Sequence, residues 1–455
     1  MEPPADGKRR TRNRAGLREL QWKSAGLLGW LMALAAGCVP IGHRHAAAHD
    51  QAAAHEWSRY LVGKTAEAEA GLVAMRDDEE AKFLLANIAL AHGAHDRAAS
   101  LTAELRGRHP EDVVLQLLEQ LVRRREEHPA ESWLDSYGEA WRALSRPALP
   151  NAFTASGWVT FSEPELPVPE ATRRAVKGTP LQLLVDWGPC IREKRSDRVG
   201  AMVREPLPPD LRVLALRCVQ YHHPGKGMDA RRKELEDQVA LDFSESAEVG
   251  LPTLADDLDG DGPLPPSALD RLQRLLSRPV FSVPRGRLYE SYRERLQAAG
   301  LPQPEVRALF ALVFADFEFS VALLRHPLVR TMRAGDPDTS IRAAALSEQL
   351  AHSLLRDRRA LSWLQAVPFE WGAGRAGDGA AQERAVTIRD FMLKLIPDAL
   401  SAATTALAWP IPSLSQEVAD AEGTDEIGLL ARLAGEEIPP AILRHFVITE
   451  PPPAG

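Results

Sequence analysis

The sequence lacks the motifs that announce a chemistry. It has no Gly-x-Ser-x-Gly elbow, no His-Glu-x-x-His helix and no phosphate-binding loop, so the common signatures of serine hydrolases, zinc peptidases and P-loop nucleotide hydrolases are all missing. Gly372-Ala373-Gly374-Arg375-Ala376-Gly377 has the letters of a dinucleotide loop. It follows a helical, Pro368-containing stretch rather than the parallel strand such a loop needs, and it reads as a glycine loop. Basic charge is also short. Against 63 acidic side chains stand 55 basic ones, only nine of them lysine, for a net charge of −8. An acidic chain has no electrostatic footprint for nucleic acid. What is present, 45% apolar and 26% charged residues over 455 positions, is the composition of a globular chain long enough for a sizeable core or for two or three domains.

The N-terminus differs from the rest. Lys8, Arg9, Arg10, Arg12, Arg14, Arg18 and Lys23 precede thirteen uncharged residues, Ala25 to Gly37, which end at Cys38. A basic region, a short apolar region and small residues before a cut form the three-part pattern of an export signal. The apolar stretch falls short of the ~20 residues a spanning helix requires. Leu34-Ala35-Ala36-Gly37-Cys38 resembles the lipobox of bacterial lipoproteins, with Ala35 where that family prefers Leu. The resemblance implies cleavage after Gly37 and acylation of Cys38, with several acyl chains giving a stable hold where one alone binds only marginally. Val39 after the cysteine implies the outer membrane under the enteric sorting rule. Removing residues 1–37 takes the basic and acidic totals from 55 and 63 to 48 and 60, so the mature chain is more acidic still.

Residues 38–49 read as a tether, and 50–146 as paired helices. Glu79–Asp112 resembles a tetratricopeptide repeat, a 34-residue helix–turn–helix unit. Leu85, Ala86 and Ala89 fall on its first helix, Gly93 in the turn, Ala98 at the helix crossing and Pro110 at the close. Thr102 stands where that family has a bulky residue. A degenerate copy precedes it, with Ala53, Ala54, Trp57 and Ala66 in corresponding places, so the resemblance covers about residues 47–126. The expected fold is all-α: helical hairpins, a Pro-rich connector at 147–210 with short strands as one reading of Gly157–Phe161 and Leu181–Trp187, and a larger irregular helical domain at 211–449. Expected helices there include one capped by Ser267, a nearly all-apolar one at 303–324 and single helices at 338–365, 382–408 and 425–434. Residues 450–455 read as a loose tail.

Several residues suggest sites. Asp257-Leu258-Asp259-Gly260-Asp261-Gly262 resembles the first half of an EF-hand calcium loop, although position 12 is Ala268 rather than Glu. Asp257, Asp259 and Asp261 are therefore candidate Ca²⁺ ligands, or simply an acidic loop before a helix. Outside the cytoplasm Cys190 and Cys218 form a candidate disulfide, with two buried thiols as the other reading. His43, His45, His49 and His55, or Cys218 with His222 and His223, match no zinc spacing. Asp316 and Glu318 point to different helix faces, where pairing with Arg307 or Arg325 would satisfy them. No catalytic residue is assigned. The expectation is a lipid-anchored envelope protein that binds other envelope proteins without catalysis. An envelope hydrolase and a calcium-stabilised structural lipoprotein are the alternatives.

Overall fold

A computed structural model describes residues 48–147, 149, 168–185, 206–221, 228–254, 257, 262–315, 321–334, 336–375 and 378–443. Among these the chain is all-α, and its one β pairing is an isolated parallel bridge between Ser246 and Val280.

Among the described residues six helices come first: α1 (Ala48–Leu61), α2 (Thr65–Ala74), α3 (Glu79–Ala91), α4 (His95–Arg108), α5 (Val113–Glu127) and α6 (Trp133–Ala143). Each packs on its successor, and α1 also reaches α3. Their ends are legible in the residues. Gly63 and Gly93 turn the chain at φ +84° and +74°, where a side chain would be strained. Asp78 accepts from the Ala81 N–H, and Asp112 from the N–H groups of Val114 and Leu115, satisfying first-turn donors that lack helical partners. The departure at Thr102 is accommodated locally. It is buried and donates its hydroxyl to the Ala98 carbonyl at 2.8 Å, so no polar group is stranded in the hairpin core.

A second group surrounds a separate core. It comprises α7 (Glu170–Val176), α8 (Leu181–Val185), α9 (Pro209–Tyr221), α10 (Met228–Asp242), α12 (Arg285–Ala298) and α13 (Pro304–Ala315), packed around Leu211, Leu214, Tyr289, Tyr292, Leu309 and Leu312. Among the described residues the connector thus carries two short helices, and Leu181–Val185 resolves to helix rather than strand. Gly157–Phe161 lies outside the described residues. Between these elements, α11 (Pro266–Leu276) starts behind Pro265, so Ser267 sits inside the first turn instead of capping it. Proline is at home there because its missing N–H would be unpaired anyway.

The remaining helices are α14 (Ala322–Ala334), α15 (Pro337–Arg356), α16 (Ala360–Arg375), α17 (Gly379–Leu407), α18 (Pro412–Ala434) and α19 (Pro440–Leu443). Three expectations need correction. The apolar helix expected at 303–324 is described as α13 up to Ala315 and meets the start of α14 at Ala322, Asp316 and Glu318 lie outside the described residues, and α14 runs on to Ala334 where no helix is expected. The helix expected at 338–365 is two, broken at Asp357-Arg358-Arg359, where Arg358 takes φ +45°. The glycines at 372 and 374 lie within α16. A Cβ on Gly374 would sit 2.9 Å from the Gln382 Cβ, so glycine there permits the close approach of α16 and α17.

Helix α18 is kinked at Asp425, whose φ of −153° and ψ of 80° are non-helical. The two segments share a neighbour. Glu417 accepts from the Trp133 and Leu134 N–H groups, while Arg432 donates to Asp135. Fifteen residues of straight helix would span about 22 Å, yet both side chains reach the first turn of α6. Helix α18 also packs on α12, α13 and α17, so it ties the three groups together.

Trp409, between α17 and α18, completes the join. Its indole N–H donates to the Asn87 Oδ1 of α3 at 2.8 Å, and its ring meets Phe83 and Tyr137 edge-on with centroids 6.0 and 5.7 Å apart. The Tyr137 hydroxyl donates in turn to the Ala402 carbonyl of α17. As a result α3 is buried at every residue from Glu80 to Leu90.

Candidate functional site

Two surfaces carry concentrated polar chemistry. The first is the exposed side of α2–α4. Glu79 of α3 meets His109 at 2.9 Å and Arg108 at 3.2 Å, and Arg108 also reaches Glu104 at 3.2 Å. Glu104 pairs with Lys82, whose stem is buried. The His109 hydrogen bond, followed by Arg108, holds Glu79 below the usual carboxylate range. Nearby, Glu69 faces His92 and Arg97 at 3.6 Å each, and the Tyr60 hydroxyl lies 3.3 Å from the His92 Nε2. Burial, with Glu69 adding to it, pushes the Tyr60 phenol up. This is a surface of alternating charge over a helical layer whose apolar side is already filled.

The second is a shallow cavity of about 330 Å³ between the end of α11 and one face of α15, lined by Leu276, Ala345, Glu348, Gln349, His352, Ser353 and Arg356. An ion cluster drawn from α15, α16 and α17 backs it. Glu370 is fully buried, and Arg384 reaches it through Nη2 at 3.0 Å while also holding Glu348 at 2.6 Å. His352 Nε2 lies 3.3 Å from Glu370 and 3.8 Å from Glu348, and Asp378 lies 3.6 Å from Arg384. Burial works against the Arg384 cation, but Glu370 and then Glu348 outweigh it and hold the guanidinium above its ordinary value. The two carboxylates converge on one guanidinium nitrogen rather than facing each other across water. His352 is the partly exposed member of the group, its Nε2 within ion-pair distance of the buried Glu370. Sequence reading missed this group because its members come from three helices and share no local motif.

No family model, no curated protein and no solved structure matches the chain.

The sequence-derived sites fare differently. Gly37, Cys38, Cys190, Asp259, Asp261, His43, His45, His222 and His223 lie outside the described residues. Asp257 is described and pairs with Arg271, while Asp270 pairs with Arg342. Cys218 is fully buried in the second core and is disulfide-bonded. Arg307 is largely buried and donates from Nε to the Pro302 carbonyl, and burial lowers its pKa to about 10. Among the described residues no group of three or more His, Cys, Asp or Glu side chains is arranged to hold a metal. Among them too, no helix is long and apolar enough to cross a membrane.

Proposed function

We propose that this chain is a bacterial envelope lipoprotein, cut after Gly37 and held by lipid on Cys38, whose helical body binds other envelope proteins without catalysis. The observation that carries the reading is the position of the hairpins. Helix α1 begins at Ala48, ten residues after Cys38. At roughly 3.5 Å per extended residue, that chain reaches about 35 Å at most. The lipid would therefore hold the hairpin array next to the membrane, and the rest of the body would follow through α6 and α18. The Cys218 disulfide supports the compartment, since such bonds persist where proteins are exposed to oxidation. Val39 after the cysteine points to the outer membrane under the enteric sorting rule.

Helix α3 is covered by the chain's own Phe83–Trp409–Tyr137 contact, so partner contacts fall to the exposed faces of α2 and α4. Their mixed charges suit the polar rim of a protein interface, where complementary charge sets specificity and encounter rate more than affinity. A photo-crosslinking residue placed at the exposed positions Ser100 or Ala103 of α4 tests this in bacteria. The expected result is a discrete protein adduct in the membrane fraction, lost in Cys38→Ala and absent when the probe is at exposed Leu393 of α17. No adduct from α4, or the same adducts from Leu393, would contradict the binding role.

A further inference from the structure

The cavity along α15 carries opposite charges at its two ends. Glu348, His352 and Arg356 line it and follow one another along one row of the helix, the acid first and the guanidinium at the last residue. Eight residues of helix rise about 12 Å, so the charged ends stand well apart in a space of about 330 Å³. That volume falls at the lower end of small-molecule sites, roughly 300–1,000 Å³.

The acid end is fixed before any ligand arrives. Arg384 Nη2 holds Glu348 at 2.6 Å, while the Glu348 side chain stays 34% exposed. The same nitrogen meets Glu370 at 3.0 Å and lies 3.6 Å from Asp378. Three carboxylates thus share one guanidinium, and negative charge prevails at this end. Arg356 at the other end is exposed. Between them stand two neutral polar groups. Gln349 Nε2 donates to the Leu276 carbonyl at 3.1 Å, and the Ser353 hydroxyl donates to the Gln349 carbonyl at 2.9 Å. The serine's one hydrogen is spent there, so this stretch of wall offers acceptors, the Gln349 Oε1 and the Ser353 Oγ. Leu276 and Ala345 add apolar surface.

We propose that the α15 cavity binds a short peptide with both termini free, about three residues long, its ammonium at Glu348 and its carboxylate at Arg356. Three extended residues span about 10 Å, and an ion-pair contact at each end completes the distance. The peptide N–H groups donate to Gln349 and Ser353, and small side chains lie on Leu276 and Ala345. A carboxylate already positioned by Arg384 loses little freedom when the ammonium docks. Opposite charges at the two ends also set the direction, because a reversed peptide would bring like charges together. The site belongs to the helical body and is independent of the lipid anchor.

Calorimetric titration of the full-length protein with trialanine tests the assignment, beside N-acetyl-trialanine and trialanine amide. The expected result is saturable binding of trialanine with Kd of about 1 mM or tighter. Either cap should weaken it about tenfold or more, the usual worth of a hydrogen bond to a charged group. Arg356→Gln should bind trialanine and its amide alike while still rejecting the acetylated form, and Glu348→Gln should show the opposite preference. Glu348 also belongs to the ion cluster, so the variant at exposed Arg356 gives the decisive reading: a folding defect would weaken every peptide rather than erase one preference. No saturable heat with trialanine, equal binding of the capped peptides, or an unchanged preference in Arg356→Gln would overturn the assignment.

Discussion

Replacing Trp409 with alanine lowers the unfolding free energy by about 3–5 kcal/mol, the usual range for emptying a large aromatic from a packed core. Three losses combine. The indole is nearly fully buried, so its transfer energy is lost together with the contacts around the cavity it leaves. Its edge contacts to Phe83 and Tyr137 disappear, each pair contributing roughly 0.5–1.5 kcal/mol beyond area. Asn87 keeps the bond from its Nδ2 to the Phe83 carbonyl but loses the donor on its Oδ1, in a site with no exposure to water. Trp409→Phe separates these terms. It retains an aromatic edge and loses mainly the hydrogen bond, so a drop of about 1–3 kcal/mol is expected. Urea denaturation measures both. A change below about 1 kcal/mol for the alanine variant would mean that α3 and the C-terminal helices are not joined through this residue.

Arg384→Ala is expected to destabilise by a similar amount, about 3–5 kcal/mol, because breaking a buried ion pair leaves an uncompensated charge. Glu370 has no exposed surface and Glu348 approaches the same nitrogen, so removing the guanidinium takes away the cation that two carboxylates share. Adding Glu370→Gln should recover much of the loss by removing the charge that Arg384 neutralised. If Arg384→Ala instead melts like the unaltered protein at every pH, the cluster behind the α15 cavity contributes nothing to the fold.

What was legible in the sequence was local. The helix–turn–helix at Glu79–Arg108 could be read because its punctuation is written in residues with one clear physical reason: Gly93 at positive φ and small Ala98 between helices. The break at Arg358 could not be read, because an arginine holds the left-handed conformation that sequence reading assigns to glycine. The sequence places a helix start at 425, where α18 breaks, but gives no sign of the segment from Pro412 that precedes it. Asp425 is both an ordinary helix surface residue and an N-cap, and only its grip on Arg358 decides between them. The Trp409–Asn87 bond joins residues 322 positions apart, and Glu370 with Arg384 gathers three helices, so neither leaves a local pattern.

The most direct test of the anchored-lipoprotein reading is mass spectrometry of the intact protein and its unreduced peptides, extracted from bacterial membranes beside a Cys38→Ala variant. The expected protein begins at Cys38, carries lipid on that residue, and yields a Cys190–Cys218 peptide pair that separates on reduction. That pairing follows because acylation of Cys38 leaves Cys190 as the one remaining cysteine for the Cys218 disulfide. An N-terminus at Met1, cleavage elsewhere with an unmodified Cys38, or a Cys38–Cys218 pair would contradict the anchor and the envelope function built on it.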